Sequence, residues 1–185
     1  MSVFQTIDLK PYCNHKLIYA QQLKASGCDA DEGIAGTYVL KKDLKFNKED
    51  CIDGVDFLFS EGEYDNVVCE RQRIEINAEG TKLHVVAFAY WGDTNEYFKI
   101  VFDDLSEELV KVPFVDWSHK FYRSFQNTIW AGENVTTPSI VISSGKLIHL
   151  IHFHHTVTEL SGKKIKEIIL PDNMFIHIFA ITLEK

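Results

Sequence analysis

The sequence predicts an all-β fold: an antiparallel β-sandwich of jelly-roll type, one domain spanning residues 1–185. Three observations carry that prediction. Apolar or alternating runs recur at roughly 8–12-residue spacing with turn residues between them, the rhythm of sandwiches and barrels. Helical periodicity is scarce, and the antiparallel-style turns favour a jelly roll. The stretch 147–184 holds three runs rich in Ile, Leu, Phe and His, broken at Ser161 and Gly162 and again at Pro171, Asp172 and Asn173. A chain of 185 residues is long enough to bury a real core as a single unit.

In chain order, residues 3–9 read as a first short strand that Pro11 ends. Residues 16–24 have helical composition but are short and uncapped, which predicts a loop with at most one helical turn. Residues 26–36 are a loop. Residues 38–46 and 55–59 are strands, and 61–66 turn the chain. In 67–76, Gln72, Ile74 and Ile76 share one face while Arg71, Arg73 and Glu75 share the other. A turn at 77–80 leads into a strong strand at 82–91, which Gly92 and Asp93 break. Two cleanly alternating strands follow. Residues 97–102 put Phe98, Ile100 and Phe102 inward, and 107–114 place Val110, Val112 and Phe114 on one face.

Strand 174–183 is apolar on both faces, with Met174, Ile176, Ile178 and Ala180 on one and Phe175, Phe179 and Ile181 on the other; 82–91 is nearly the same. A sandwich strand ordinarily shows water one face. A cover is therefore expected over both strands, from segments 10–36 and 115–145 or from a second subunit, which leaves a homodimer open. Residues 115–145 break the strand rhythm and read as a long aromatic loop holding Trp117, Phe121, Tyr122, Phe125 and Trp130. The i, i+4, i+8 spacing of Trp117, Phe121 and Phe125 suits a short helix inside it.

The charge balance narrows function. A net charge of -8 and a pI near 5.4 argue against a nucleic-acid partner, which needs a basic face. No run reaches the roughly 20 apolar residues of a membrane helix. The first ten residues show no basic region followed by an apolar run, so a cytoplasmic location is expected. The four cysteines, Cys13, Cys28, Cys51 and Cys69, are scattered with no C-x-x-C pair. Reduced thiols are then the expectation, and a Cys-rich zinc site is not.

Three constellations could carry chemistry. Asp29 and Asp31, two apart before a glycine, resemble the start of a calcium loop, though the later Glu and flanking helices of an EF-hand are missing. A solvated acidic loop is the other reading. His149, His152, His154 and His155 crowd one strand, with His177 on a later one. His152 and His154 share a face, so both imidazoles could reach one transition metal. Gly145, His152, His154, Glu159 and Gly162 follow the order of the first cupin motif, which this stretch resembles, but not its spacing; Pro171 and His177 match the second motif poorly. Outward-facing polar residues would explain the same histidines. The third constellation is Asp116, Trp117, Tyr122, Arg123, Asn127, Trp130 and Glu133. Indole and phenol faces cover the C–H patches of a sugar, while carboxylates, amides and guanidinium bond its hydroxyls. Closing one end of the core is the alternative role for these aromatics.

No G-x-S-x-G elbow, phosphate loop, H-E-x-x-H or G-x-G-x-x-G occurs. Cys13 and His15 are a pair in sequence with nothing to mark them as activated. No catalytic residue is assigned and no cofactor is required.

Several blocks stand out together: residues 8–14 (DLKPYCN), 64–68 with Gln72 and Ile74, 83–86 with Trp91, Gly92 and Asp93, then 114–117, and last and most specific 168–173 (IILPDN) and 176–183 (IHIFAITL). Together they resemble a galactose-binding-like β-sandwich, a module that accompanies bacterial glycoside hydrolases. Asn14 runs into His15, Lys16 and Leu17 where that family usually has a glycine. The resemblance implies a jelly roll and an association with carbohydrate. The sequence therefore predicts a non-catalytic protein that grips a sugar or small glycoside through its aromatic loop. The alternative is a small sugar-active enzyme, or a cupin-like metal-dependent protein, using His152 and His154. An assembly protein is the third reading.

Overall fold

The structure, a computed structural model, describes residues 3–19, 37–40, 45–117, 128–136 and 149–185. Within these, side-chain surroundings are described except at Tyr19, 37–40, 128–136 and 149–152. Its strands are β1 (Phe4–Ile7), β2 (Ile18–Tyr19), β3 (Thr37–Leu40), β4 (Glu49–Ile52), β5 (Val55–Leu58), β6 (Val67–Glu70) and β7 (Arg73–Glu79). They continue with β8 (Lys82–Ala89), β9 (Thr94–Phe102), β10 (Glu107–Phe114), β11 (Thr128–Thr136), β12 (His149–Glu159), β13 (Lys164–Ile169) and β14 (Asp172–Glu184). A 3-10 turn, Lys10–Tyr12, follows β1.

Two sheets face each other. One runs β1-β14-β8-β12-β11-β3-β2, with β6 also pairing β14; the other runs β10-β9-β13-β7. All these pairings are antiparallel except β2 with β3. The protein is an all-β antiparallel sandwich, as its strand spacing predicts. Between the sheets lies the main core. Leu83, Val85, Ala87, Ala89, Ile176, Ile178, Ile181 and Leu183 from the first sheet meet Ile74, Ile76, Phe98, Ile100, Phe102, Val110, Val112 and Phe114 from the second. The inward sets of β7, β9 and β10 are the ones their alternation marks.

The outer faces of β8 and β14 are covered from within the chain. A second cluster packs Val86, Phe88, Phe153, Phe179 and Ala180 beneath Leu17, Ile18, Val55, Phe57 and Phe59. The main cover is the β4–β5 hairpin, of which the sequence predicts only the second strand. Its turn is Asp53 and Gly54, both at positive φ (52° and 83°), the two-residue geometry that an Asp-Gly pair favours. Leu17 and Ile18, within the expected segment 10–36, supply the rest.

Two expectations need correcting. Ala180 and Ile181 exchange faces, because a bulge between Ile178 and Ala180 shifts the register of β14 against β8. Strict alternation has no means of showing that insertion. Part of the span 115–145 is strand, since β11 pairs with both β12 and β3. The β-branched Thr128, Ile129, Val135 and Thr136 suit that pairing. The short helix expected around Phe121 and Phe125 lies outside the described residues. Among the described residues no helix is long and apolar enough to cross a membrane.

Candidate functional site: an aromatic end

One end of the sandwich collects the end of β8, the start of β9, the end of β10 and the start of β14. Backbone pairing ties these together. The Ala89 N–H donates to Val115 O at 2.8 Å and the Trp117 N–H to Ala89 O at 2.9 Å, a parallel bridge that lays 115–117 against the end of β8. The Tyr90 N–H donates to Phe175 O at 2.8 Å, which brings β14 alongside.

Three aromatic rings follow from that backbone. Tyr90 stacks on Trp117 with centroids 5.8 Å apart and planes at 26°, and meets Trp91 edge-on at 5.2 Å. Trp91 is 77% exposed and sits at φ 78°. A bulky side chain in the left-handed region costs on the order of 1–3 kcal/mol and persists only where its surroundings dictate it. Here the fixing groups are visible. The Gly92 N–H donates to Asp116 Oδ2 at 2.5 Å, and the Asp116 N–H donates to Asp93 Oδ1 at 2.9 Å. Gly92 itself, at φ 111°, completes a turn that favours glycine. Met174 (66% exposed) and Phe175 extend the apolar surface. Beside it, Asn173 Nδ2 donates to Glu96 Oε1 at 2.7 Å and Asn173 Oδ1 accepts the Phe175 N–H. Burial, and secondarily the Asp116 charge, push the Tyr90 phenol upward, so it stays a neutral hydroxyl.

The residues expected to bind a ligand are distributed as follows. Asp116 and Trp117 lie at this end, but Asp116 is buried and orders the Trp91 turn. Trp130 and Glu133 belong to β11, paired with Phe153 and Leu150. Tyr122, Arg123 and Asn127 lie outside the described residues, as do Asp29 and Asp31. Tyr90 and Trp91 are not among the expected ligand residues; in the sequence they read as the tail of a core strand. The break at Gly92 and Asp93 was the signal, since an aromatic just before it stands at an exposed corner.

The histidines divide between two structural settings. His152 pairs in β12 with Ala131. Two residues on, His154 is buried on the face of β12 that meets β10, where Thr156 and Thr158 donate to Pro113 O and Lys111 O. Among the described residues no group of three or more His, Cys, Asp or Glu side chains could hold a metal ion. His177 is buried, stacks on Phe88 at 5.2 Å, and bonds Asn66 Oδ1 through Nδ1 at 2.9 Å. Asn66 Nδ2 donates to the His15 backbone carbonyl, which can only accept, at 3.1 Å and to Asp65 Oδ1 at 2.8 Å. This fixes the amide orientation, so His177 Nδ1 carries the proton. Asp65 also accepts from Lys16 and the N–H groups of Leu17 and Ile18. Burial, then the neighbouring His15, pull His177 down to about 3. That cluster anchors residues 14–18 to β6 and β14. Burial also pushes the Cys13 thiol up to about 11, which leaves it without the thiolate that Cys-His catalysis needs.

The blocks behind the family-like resemblance are mostly turn and anchor chemistry. Asn14 exchanges hydrogen bonds with the Val68 backbone. Pro171 O accepts the Arg71 N–H, and Asp172 pairs with Arg71 at 2.7 Å. Residues 48–185 match the model of a family described as the AziU2-like beta-sandwich domain. No curated protein matches the chain.

Proposed function

The chain belongs to the AziU2-like β-sandwich family, and from that frame, which fixes a fold and no ligand, we propose that it binds carbohydrate at its aromatic end. The observation that supports this reading most is Trp91, an exposed indole held in a left-handed turn by the buried Asp116 and backed by Tyr90 and Trp117. An outward indole face matches the C–H surface of a pyranose ring. The Tyr90 hydroxyl, Glu96 and Asn173 supply polar groups around it for sugar hydroxyls. Asp116 is a positioning residue in this scheme. The resemblance to galactose-binding-like modules favours the same class of ligand. In this reading the aromatic end binds and orients its ligand.

The experiment is a titration of mono- and oligosaccharides against intrinsic Trp fluorescence, with Trp91→Ala alongside. At least one sugar should give a saturable change that the variant loses while keeping its circular dichroism. No saturable change with any sugar in the panel would end the proposal.

A further inference from the structure

The binding proposal uses none of the histidines, and one on the crowded histidine strand heads a hydrogen-bonded chain. His155 Nε2 lies 2.8 Å from His84 Nδ1, and His84 Nε2 lies 3.0 Å from Glu184 Oε2. Lys82 Nζ holds the other oxygen, Glu184 Oε1, at 2.9 Å. Proton positions follow from the end of this chain. Glu184 is ionised and can only accept, its pKa held down first by Lys82 and then by His84, so His84 Nε2 carries a proton. With that tautomer of His84 its Nδ1 is the acceptor in the 2.8 Å contact and takes the Nε2 proton of His155. That leaves His155 Nδ1 with a free lone pair, and no described group hydrogen-bonds it. Burial, then His84, hold His155 below the ordinary range, so its ring is neutral at physiological pH. The order carboxylate, oriented imidazole, reacting group is that of a catalytic triad, with an imidazole in the nucleophile's place.

The surroundings suit an acyl substrate. Phe57 stands edge-on to His155 at 5.3 Å and Phe4 edge-on to His84 at 5.8 Å. Val157, two residues on and therefore on the same face, is exposed. His155 itself is half-buried beside these apolar walls.

We propose that Glu184, His84 and His155 form an acyl-transfer site, with His155 Nδ1 as the nucleophile toward a small activated acyl ester. The lone pair of Nδ1 attacks the carbonyl carbon and the C–O bond to the leaving alkoxide breaks. The Nε2 proton of the acyl-imidazolium passes to His84 Nδ1, and the resulting imidazolium faces the Glu184 carboxylate. Water then attacks the acyl carbon of the neutral acyl-imidazole and the C–N bond to His155 Nδ1 breaks, giving the free acid; the proton on His84 Nδ1 returns to His155 Nε2, and the proton that water loses goes to the departed alkoxide as alcohol. The sum is ester plus water to acid plus alcohol. His155 is the catalytic residue; His84 and Glu184 position and stabilise.

The probe is p-nitrophenyl acetate with the full chain near neutral pH, followed by peptide mapping of the acetyl group. Release of p-nitrophenolate should exceed that of an equal concentration of free imidazole, with the adduct on His155. Glu184→Gln should slow acetylation on the order of tenfold or more and displace the pH profile of the reaction, which a merely structural role would leave in place. His155→Gln should abolish the adduct; mapping on the unaltered chain decides the matter even where that variant does not fold. Acetyl groups on lysines alone, or a rate no greater than that of free imidazole, overturn the proposal.

Discussion

Acidification should unfold this protein partly through His177. The ring is buried, stacked on Phe88, and donates from Nδ1 to Asn66. Its folded pKa is about 3 against an ordinary 6.5, chiefly through burial. The unfolded state therefore binds the proton first. The stability contributed by the neutral ring is complete above the unfolded pKa and is lost as pH falls from about 6.5 toward about 3. At about pH 5 the unfolded ring is almost fully protonated and the folded one is not. The loss there is RT ln(1 + 10^1.5), about 2 kcal/mol. It is insensitive to the folded value so long as that stays well below 5. For a chain of this size it corresponds to roughly 4–8 °C in Tm. The assay is urea unfolding at a series of pH values for the native protein and for His177→Asn, whose amide can still donate to Asn66. The variant is less stable throughout, having lost the ring from its site. Its stability should nevertheless fall by about 2 kcal/mol less between neutral pH and about pH 5. Parallel pH profiles for the two proteins would refute a buried neutral His177.

Other outcomes follow from packing and backbone. Phe57→Ala should cost about 3–5 kcal/mol, read by urea unfolding, because a fully buried ring in the outer cluster leaves a cavity. The same variant should bind a hydrophobic dye as the outer faces of β8 and β14 loosen. Gly54→Ala should cost about 1 kcal/mol, since φ there is 83° although space around a new Cβ is open. Among the three described cysteines, iodoacetamide should modify Cys51 first, as it is exposed while burial raises the pKa of both Cys13 and Cys69. Peptide mapping after a short reaction reads this directly.

What the sequence disclosed depended on how local the signal was. β7, β9 and β10 each bury one face and wet the other, so the alternation of Ile74 and Ile76, or of Phe98, Ile100 and Phe102, names their core residues directly. β14 has no wet face over its buried part, and its bulge at Ile178 and Ala180 leaves no compositional trace. β4 reads as Glu, Asp, Cys, Ile, with little apolar pattern, and only the Asp53-Gly54 pair announces its hairpin. At the aromatic end, residue type pointed to Trp117 and Asp116. The role of Asp116 depends on Gly92, 24 positions away. The prominence of Trp91 depends on a left-handed φ that nothing in an indole predicts. Long-range pairing and strained backbone are fixed by the whole fold, so no window of sequence contains them.

The internal cover also changes the argument for a second subunit. Two-sided apolarity in β8 and β14 demanded something over them, and Phe57, Phe59, Leu17 and Ile18 meet that demand within one chain. The exposed apolar surface that remains includes Trp91, Met174 and Phe175, at the aromatic end. Because the same strand runs from His84 to the corner before Trp91, the two proposed sites are far apart. Seven residues of extended chain span about 23 Å, well beyond the roughly 7–10 Å within which substitutions usually couple. Trp91→Ala should therefore leave acetylation of His155 unchanged, and Glu184→Gln should leave the sugar titration unchanged. Cross-effects of either substitution would mean that the two ends are not independent and that one surface serves both the binding and the acyl transfer.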